Sequence, residues 1–394
     1  MSGADAFPHK PWRSWQKTMQ SQSVRTIVGL ETLTPHELAA WTELSATGLE
    51  PTAFNSPCGL SMALQSIAGA NGRVLAVVDH EEADRLIAVT GLARKSIGLG
   101  FSGQNTMLWS SDLGPIGTPL LADDRTSTSQ RFLEALFMQT RATCILFPDQ
   151  SLNGQSFQVL LSAANTMGLN ITILDQWERA TLHPKTEDTT FFRKALTRKR
   201  RKELARLERR LAEQGALHLA SRITTDDVTT AFTRFLKLEA ESWKGGRGTA
   251  LLNNTQTERF SRRLISHLAK NGAARVYELW LGDALVASLV LLSERDHAVT
   301  WKIAHDSTYG AFSPGSLLIM KTTQQLIDEA KFSEVDSLAD PNHPMIDRLW
   351  PDRQAMGDVL IGRSGALMAL AKLDYQALRG LKNLLRPVKR RLGM

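Results

Sequence analysis

Residues 274–318 read ARVYELWLGDALVASLVLLSERDHAVTWKIAHDSTYGAFSPGSLL. Two apolar, β-branched runs, Ala274–Leu281 and Ala284–Ser293, flank Gly282-Asp283, which is hairpin chemistry. Ala298–Ala304 predicts a third strand. A polar stretch follows and gives way at Ser313-Pro314-Gly315-Ser316 to the helical spacing of Gly315–Ala330. A three-strand meander thus hands the chain through a polar loop to a helix start. Proline in the first turn and a serine before it suit that start. The free N–H groups and the helix dipole there make an anion site, and Gly315 lets a phosphate approach the backbone. Most such tetrapeptides are helix starts and nothing more, and that reading stays open.

Working outward, a short strand is expected at Glu334–Ser337, a helix near His343–Leu349 and a strand at Asp358–Ile361. Upstream, Thr225–Trp243 and Thr257–Lys270 are amphipathic helices, and Asn271-Gly272 closes the second. The first half repeats this order. Helices are expected from Thr34 and near Pro57, then strands at Val74–Asp79, Leu86–Ala93 and Thr106–Ser110. A helix at Ser129–Gln139, a strand at Ala142–Phe147, a helix at Gln155–Met167 and a strand at Leu169–Leu174 follow. VLAVVDHEEADRLIAVTGL (74–92) aligns with ARVYELWLGDALVASLVLL (274–292), and MLWSSDLGPIGTPLL (107–121) with VTWKIAHDSTYGAFSPGSLL (299–318). These pairs point to an internal duplication. The expected fold class is α/β, a mixed sheet with helices on both faces, in two tandem modules. The expected division is a flexible N-terminus (1–23), a first module (24–185), a second module (186–364) and a basic amphipathic C-terminal helix (365–394).

Composition narrows the function. The chain has 394 residues and two cysteines, and its net charge is +7. Cys58 and Cys144 form no CxxC or Cys/His pattern, so a disulfide framework and a zinc site are disfavoured. No GxxxxGK[ST], GxSxG or HExxH motif occurs, which argues against a P-loop nucleotide site, an α/β-hydrolase and a zincin. The N-terminus lacks a signal-peptide apolar core, and no run is long enough to span a bilayer. A cytoplasmic protein is expected. The charge is local: residues 191–215 hold ten Lys/Arg against three Glu, and residues 372–394 hold seven Lys/Arg against one Asp. The basic run 191–215 has no aromatic or polar base-readers among its charges, which disfavours nucleic acid as partner. At the C-terminus, Leu367, Leu370, Leu373, Ala377, Leu378, Leu381 and Leu385 recur at helical spacing. Either this stripe docks on the second module, or residues 366–391 lie peripherally on an anionic membrane.

The second half resembles the CelD-like acetyltransferases of bacterial polysaccharide loci, a GNAT family related to the FemAB peptidyltransferases. The residues that carry the resemblance are Glu241-Ser242-Trp243-Lys244, His305-Asp306, Tyr309, Ser313-Pro314-Gly315, Leu317-Leu318 and Asp336. It implies tandem GNAT modules, acetyl-CoA or another acyl-CoA as co-substrate, and a sugar, polysaccharide precursor or amino compound as acceptor, with no metal. The donor pyrophosphate would rest on Ser313, Pro314, Gly315, Ser316 and Leu317. His305, Asp336 and Glu241 are the candidate catalytic groups, since acyl transfer to an amine needs a proton acceptor. Each also has a plain role open to it, as loop hydrogen-bonder, cap or solvated helix carboxylate. Trp243, Lys244, Trp301 and Tyr309 are candidates for binding the acceptor, with core packing the alternative for the tryptophans. The family commonly carries a Tyr-Lys pair before a tryptophan; here Asp347-Arg348 precedes Trp350 instead. FemAB-type aminoacyl transfer and a non-catalytic scaffold in a polysaccharide system are the rival readings.

Overall fold

In a computed structural model, the protein is described over residues 22–27, 33–65, 72–79 and 85–391, with side chains between 33 and 381. The flexible segment expected at residues 1–23 lies outside the described residues up to 21, whereas Gln22 and Ser23 already belong to a strand.

The N-terminal half comprises β1 (Gln22–Ile27), α1 (Pro35–Thr47), α2 (Pro57–Ala63), β2 (Arg73–Asp79), β3 (Arg85–Lys95), β4 (Asn105–Leu108), a two-residue β5 (Leu120–Leu121), α3 (Thr126–Thr140), β6 (Cys144–Ser151), α4 (Gln155–Thr166) and β7 (Asn170–Leu182). Local chemistry explains the helix starts. Thr34 and Glu37 form a capping box on α1, and Ser56 accepts from the Gly59 amide ahead of α2 with Pro57 in the first turn. Past α4 the chain turns through Gly168, whose φ of +67° suits glycine.

The C-terminal half comprises α5 (Phe191–Ala195), α6 (Arg198–Ala212), β8 (Leu217–Arg222), α7 (Thr225–Glu241), α8 (Trp243–Gly246), α9 (Thr255–Lys270), β9 (Ala274–Leu281), β10 (Ala284–Glu294), β11 (His297–His305), α10 (Pro314–Glu329), β12 (Glu334–Asp336), β13 (Asp352–Gly362) and α11 (Gly365–Arg391). The helix expected near His343–Leu349 is only a 3-10 turn, Ile346–Arg348.

Both halves show one plan. An antiparallel meander (β1 to β4, β8 to β11) is followed by a single parallel pairing, β4 with β6 and β11 with β12. The two sheets join into one, in the order β1-β2-β3-β4-β6-β13-β7-β12-β11-β10-β9-β8, with β5 paired to β3.

The join corrects the expected division at residue 185. Strand β13 comes from the C-terminal half yet lies between β6 and β7, antiparallel to both. Strand β7 in turn reaches across to β12, pairing Leu182 with Val335 and Thr181 with Asp336. Apolar packing crosses the boundary too. Ala53, Phe54, Cys58 and Met62 share a core with Phe232, Phe235, Phe260 and Leu264. Each half completes the other, so separate cores are not formed.

The C-terminal helix docks on both halves: Met368 and Ala371 of α11 pack with Leu360 of β13 in the second and with Cys144, Leu146 and Leu174 of β6 and β7 in the first. Only part of the leucine stripe is covered; Leu367, Leu370, Leu373 and Leu381 remain exposed.

Candidate active site

Strands β11 and β12 pair over three residues only, His297 to Val299 against Glu334 to Asp336. Beyond them the Thr300 hydroxyl donates to the Ser337 carbonyl at 2.9 Å, and β11 runs on alone to His305. This parting of two parallel strands opens a notch at the C-terminal strand ends, ahead of α10. The loop after β4 meets β11 there: the Trp301 indole N–H donates to Leu113 O at 2.5 Å, and Lys302 Nζ to Asp112 O at 3.3 Å. The Trp301 ring is buried and stacks on Phe232, with centroids 6.2 Å apart. It therefore packs the core between the halves and presents no face to an acceptor, a correction to the binding role expected of it.

Helix α7 supplies a residue that the motif reading passed over. Its buried face carries Phe232, Phe235 and Leu236, and Glu239 continues that stripe at helical spacing. Buried among apolar neighbours, the Glu239 carboxylate accepts from the Leu251 amide at 2.9 Å and from Lys244 Nζ at 3.1 Å. Lys244 also donates to Ile303 O at 2.8 Å. Glu239 thus fixes Lys244 against β11. A carboxylate in register with an aromatic stripe was the available signal, because such a group is kept only if it is paired. Glu241, the expected catalytic carboxylate, is exposed two residues further on. It lies off the buried stripe that holds Glu239.

Around Lys244 stand Lys302, His305 and His343, all half-buried. Burial, reinforced by the Lys244 charge, lowers the Lys302 pKa, with Glu239, Asp112 and Asp340 opposing. Burial and then Lys244 depress His305 below the ordinary 6.5, with Asp306 acting the other way. His343 is lowered by burial too, against the pull of Asp347 and Asp340. At neutral pH His305 is therefore an uncharged imidazole, able to accept a proton, beside a fixed ammonium.

The start of α10 lies next to this imidazole. Ser313 adopts the left-handed conformation (φ +52°), and no side chain caps the helix. Pro314, Gly315, Ser316 and Leu317 are buried. A Cβ on Gly315 would stand 2.8 Å from Met345 Sδ and 3.5 Å from His305 Nδ1. The flexible Met345 side chain, rather than main chain, occupies the space over the glycine.

Asp336 is placed elsewhere. It is buried and accepts from Arg179 Nη1 at 3.0 Å and from the Leu338 amide at 2.8 Å. Arg179 of β7 is itself buried, donates to Pro115 O at 3.2 Å and lies 3.9 Å from Asp149. Asp336 thus serves an ion pair between the halves, and this corrects the catalytic role expected of it. Trp243 is 49% exposed, with the Arg247 guanidinium 4.9 Å from its ring centre, directly before Lys244. Tyr309 is half-buried on the apolar cluster that includes Leu317 and Ile346. Of the expected residues the fold brings together His305, Lys244 and the α10 start; Asp336, Glu241 and Trp301 stand apart from them in role.

Residues 198–343 match the family described as an acetyltransferase (GNAT) domain. The match contains β11, the α10 start, Glu239, Lys244, His305 and His343. Among solved structures, FemX is similar over 88% of this chain and 100% of its own, with a TM-score of 0.55 and 10% identity. The C-terminal domain (DUF2156) of a putative lysylphosphatidylglycerol synthetase from Agrobacterium fabrum is similar over 86% and 95%, with a TM-score of 0.54 and 13% identity. A conserved protein of unknown function from Bacteroides thetaiotaomicron matches over 86% and 100%, with a TM-score of 0.51 and 12% identity. At such identities the likeness is one of fold, and it extends over both GNAT-like halves. No curated protein matches the sequence.

Proposed function

We propose that the protein is an acyl-CoA-dependent N- or O-acyltransferase of the CelD-like kind, transferring an acetyl or related acyl group to a sugar, a polysaccharide precursor or an amino compound. The observation that carries this reading is the uncapped, glycine-bearing start of α10 beside His305, inside the stretch that matches the acetyltransferase domain. The Gly315 amide and the α10 dipole would hold the donor's pyrophosphate, with Ser313, Pro314, Ser316 and Leu317 shaping the turn around it. The Ser316 and Leu317 amides already donate to Ser313 O at 3.0 and 3.2 Å. Acyl-CoA, when bound, supplies an activated thioester.

The chain's own groups do the rest. His305 Nδ1 lies toward Gly315, which leaves Nε2 to take the proton of the acceptor's amine or hydroxyl. Burial keeps that imidazole unprotonated at neutral pH, so no prior deprotonation is needed. Lys302 and Lys244 put positive charge at the notch, which favours an acceptor bearing a carboxylate or phosphate and supports a developing oxyanion. The Asp112–Leu113 carbonyls, supplied by the other half, hold β11 and its Lys302 in position. The basic segment folds as the short α5 and one α6 rather than as a long helical hairpin, which favours this reading over aminoacyl transfer from tRNA.

Titration with acetyl-CoA tests the proposal. At about a hundredfold excess over Kd the donor should stabilise the fold by about 2.7 kcal/mol. Thiol release should then appear when acceptors with an amine and an anionic group are screened. Absence of stabilisation by acetyl-CoA and by longer acyl-CoA alike would remove acyl-CoA from the reading.

A further inference from the structure

The basic segment 191–215 is left over once the notch is built. Leu204, Leu207 and Leu211 form the buried face of α6, and Leu204 and Leu211 join the apolar cluster that includes Leu317 and Leu318 of α10. Helical spacing then turns Arg198, Lys199, Lys202, Arg206, Arg209 and Arg210 to the opposite side, and all six are exposed. From Arg198 to Arg209 the row is about 17 Å long.

The segment's three acids do not neutralise this row. Glu203 pairs with Arg200 at 2.9 Å, Glu208 with Lys321 of α10, and Glu213 with Arg209 at 3.8 Å. Arg201 turns back to the Arg193 carbonyl at 3.1 Å, where it closes α5. Arg198, Lys199, Lys202 and Arg206 have no hydrogen bond or ion pair among the described residues. Arg198 and Lys199 stand in the first turn, where the positive end of the helix dipole disfavours a cation. The stability of the helix therefore does not account for them.

The row ends beside the candidate site. The Arg210 guanidinium lies 5.6 Å from the Phe312 ring centre. Phe312 closes the 3-10 segment Ser307–Phe312, which joins β11 and His305 to the α10 start. An anionic chain lying along α6 would reach the segment next to His305, and Lys302 and Lys244 put further positive charge at the notch.

We propose that the exposed face of α6 binds a polyanionic saccharide, a carboxylate-bearing polymer one unit of which enters the notch. Charge complementarity carries the choice of a polyanion. Lipid insertion needs large apolar side chains, and the only apolar residues exposed along the helix are Ala205 and Ala212. Single-stranded nucleic acid is held by aromatic stacking platforms as well as by cations, and α6 carries no aromatic residue. A hydrophilic polymer with spaced carboxylates needs neither. The choice of a saccharide rests on the acyl-transfer reading, whereas the cationic surface does not.

Fluorescence anisotropy of a labelled oligogalacturonate with the full chain tests this surface. Binding is expected, with log affinity falling linearly in log salt between about 50 and 200 mM, and neutral dextran should not compete. Combining Lys199→Gln, Lys202→Gln and Arg206→Gln should weaken binding at least about tenfold at low salt. The melting temperature should not fall, because all three are exposed and unpaired, and stabilisation by acetyl-CoA should be unchanged. Absence of binding overturns the proposal, and so does affinity that the triple variant leaves intact. Tighter binding to a single-stranded oligonucleotide of equal charge overturns it too, as does loss of acetyl-CoA stabilisation in the variant, which would give these cations to the donor. Oligogalacturonate binding by a chain that no acyl-CoA stabilises would keep the surface and remove acyl transfer, so the two readings fail separately.

Discussion

The two halves share a plan and differ at the same place. In the N-terminal half, the parting of β4 from β6 is closed by its own loop. Ser110 donates to Asp149 at 2.5 Å, Arg179 holds Pro115 O, and a Cβ at Gly117 would stand 2.2 Å from Pro148 O. Its helix α3 also starts on a carboxylate of the chain: Asp123 accepts from the Arg125 amide at 3.2 Å and from the Thr128 hydroxyl at 2.7 Å, and pairs with Arg85. In the C-terminal half, α10 has no side-chain cap, and the notch is lined by two lysines and two histidines rather than sealed. Neither helix start carries a side-chain cap, but a carboxylate, Asp123, stands beside that of α3, whereas α10 starts beside the lysines and histidines of the notch. The loop of the N-terminal half at Asp112–Leu113 braces β11 of the other through Trp301 and Lys302.

The strongest break would come from separating the halves. A fragment of residues 186–394 should not fold alone, because Met356, Val359, Leu360 and Ile361 of β13 would lose β6 and β7. Burial of those side chains is worth roughly 6–12 kcal/mol, as much as a whole domain's stability. Circular dichroism checks this, and a folded, CoA-binding fragment would restore independent modules. Next in size, Arg179→Met leaves the buried Asp336 and the neighbouring Asp149 without their cation. A loss of about 3–5 kcal/mol in urea unfolding is expected, and a smaller loss would mean that the join is held by packing alone.

At the site itself, His305→Gln should cut kcat/KM by roughly 10²–10⁴ with a small change in stability. In the parent the acidic limb of the pH–rate profile should fall below 6.5, since the free base persists to lower pH when its pKa is depressed. An acidic limb at or above 6.5 assigns the base elsewhere. The same depression has a stability sign. Below 6.5 the unfolded chain takes up protons that His267, His305 and His343 refuse in the fold. Stability should therefore decline as pH falls from about 6.5 toward their folded values, and His343→Gln should flatten that decline in thermal melts. The smallest change in the fold is expected from Gly315→Val. Its new side chain meets the movable end of Met345, so melting should shift by less than about 1 kcal/mol while acetyl-CoA affinity drops. Equal affinity would take the α10 start out of the site.

Much of this was readable in one dimension. Strands β2, β3, β9, β10 and β11 follow from local apolar runs, and the starts of α1, α2 and α10 from Thr34, Pro57 and Pro314, because periodicity and helix-start chemistry are properties of neighbouring residues. The repeat and the place of His305 and Gly315 followed from the same local signals. Strands β1 and β8 were not foreseen; Leu217–Arg222 is only half-buried along its length and carries no strong alternation. What the sequence could not show is the company each residue keeps. Asp336 stands where a catalytic carboxylate was expected, but Arg179, 157 residues away, claims it. Glu239 outranks Glu241 because Lys244 and the Leu251 amide converge on it, and Trp301 was claimed by Phe232 and Leu113. The exchange of β13 between β6 and β7 is likewise a matter of long-range pairing. Local propensity specifies a strand but not its partner, and burial of charge is decided by whichever opposite group the tertiary fold delivers.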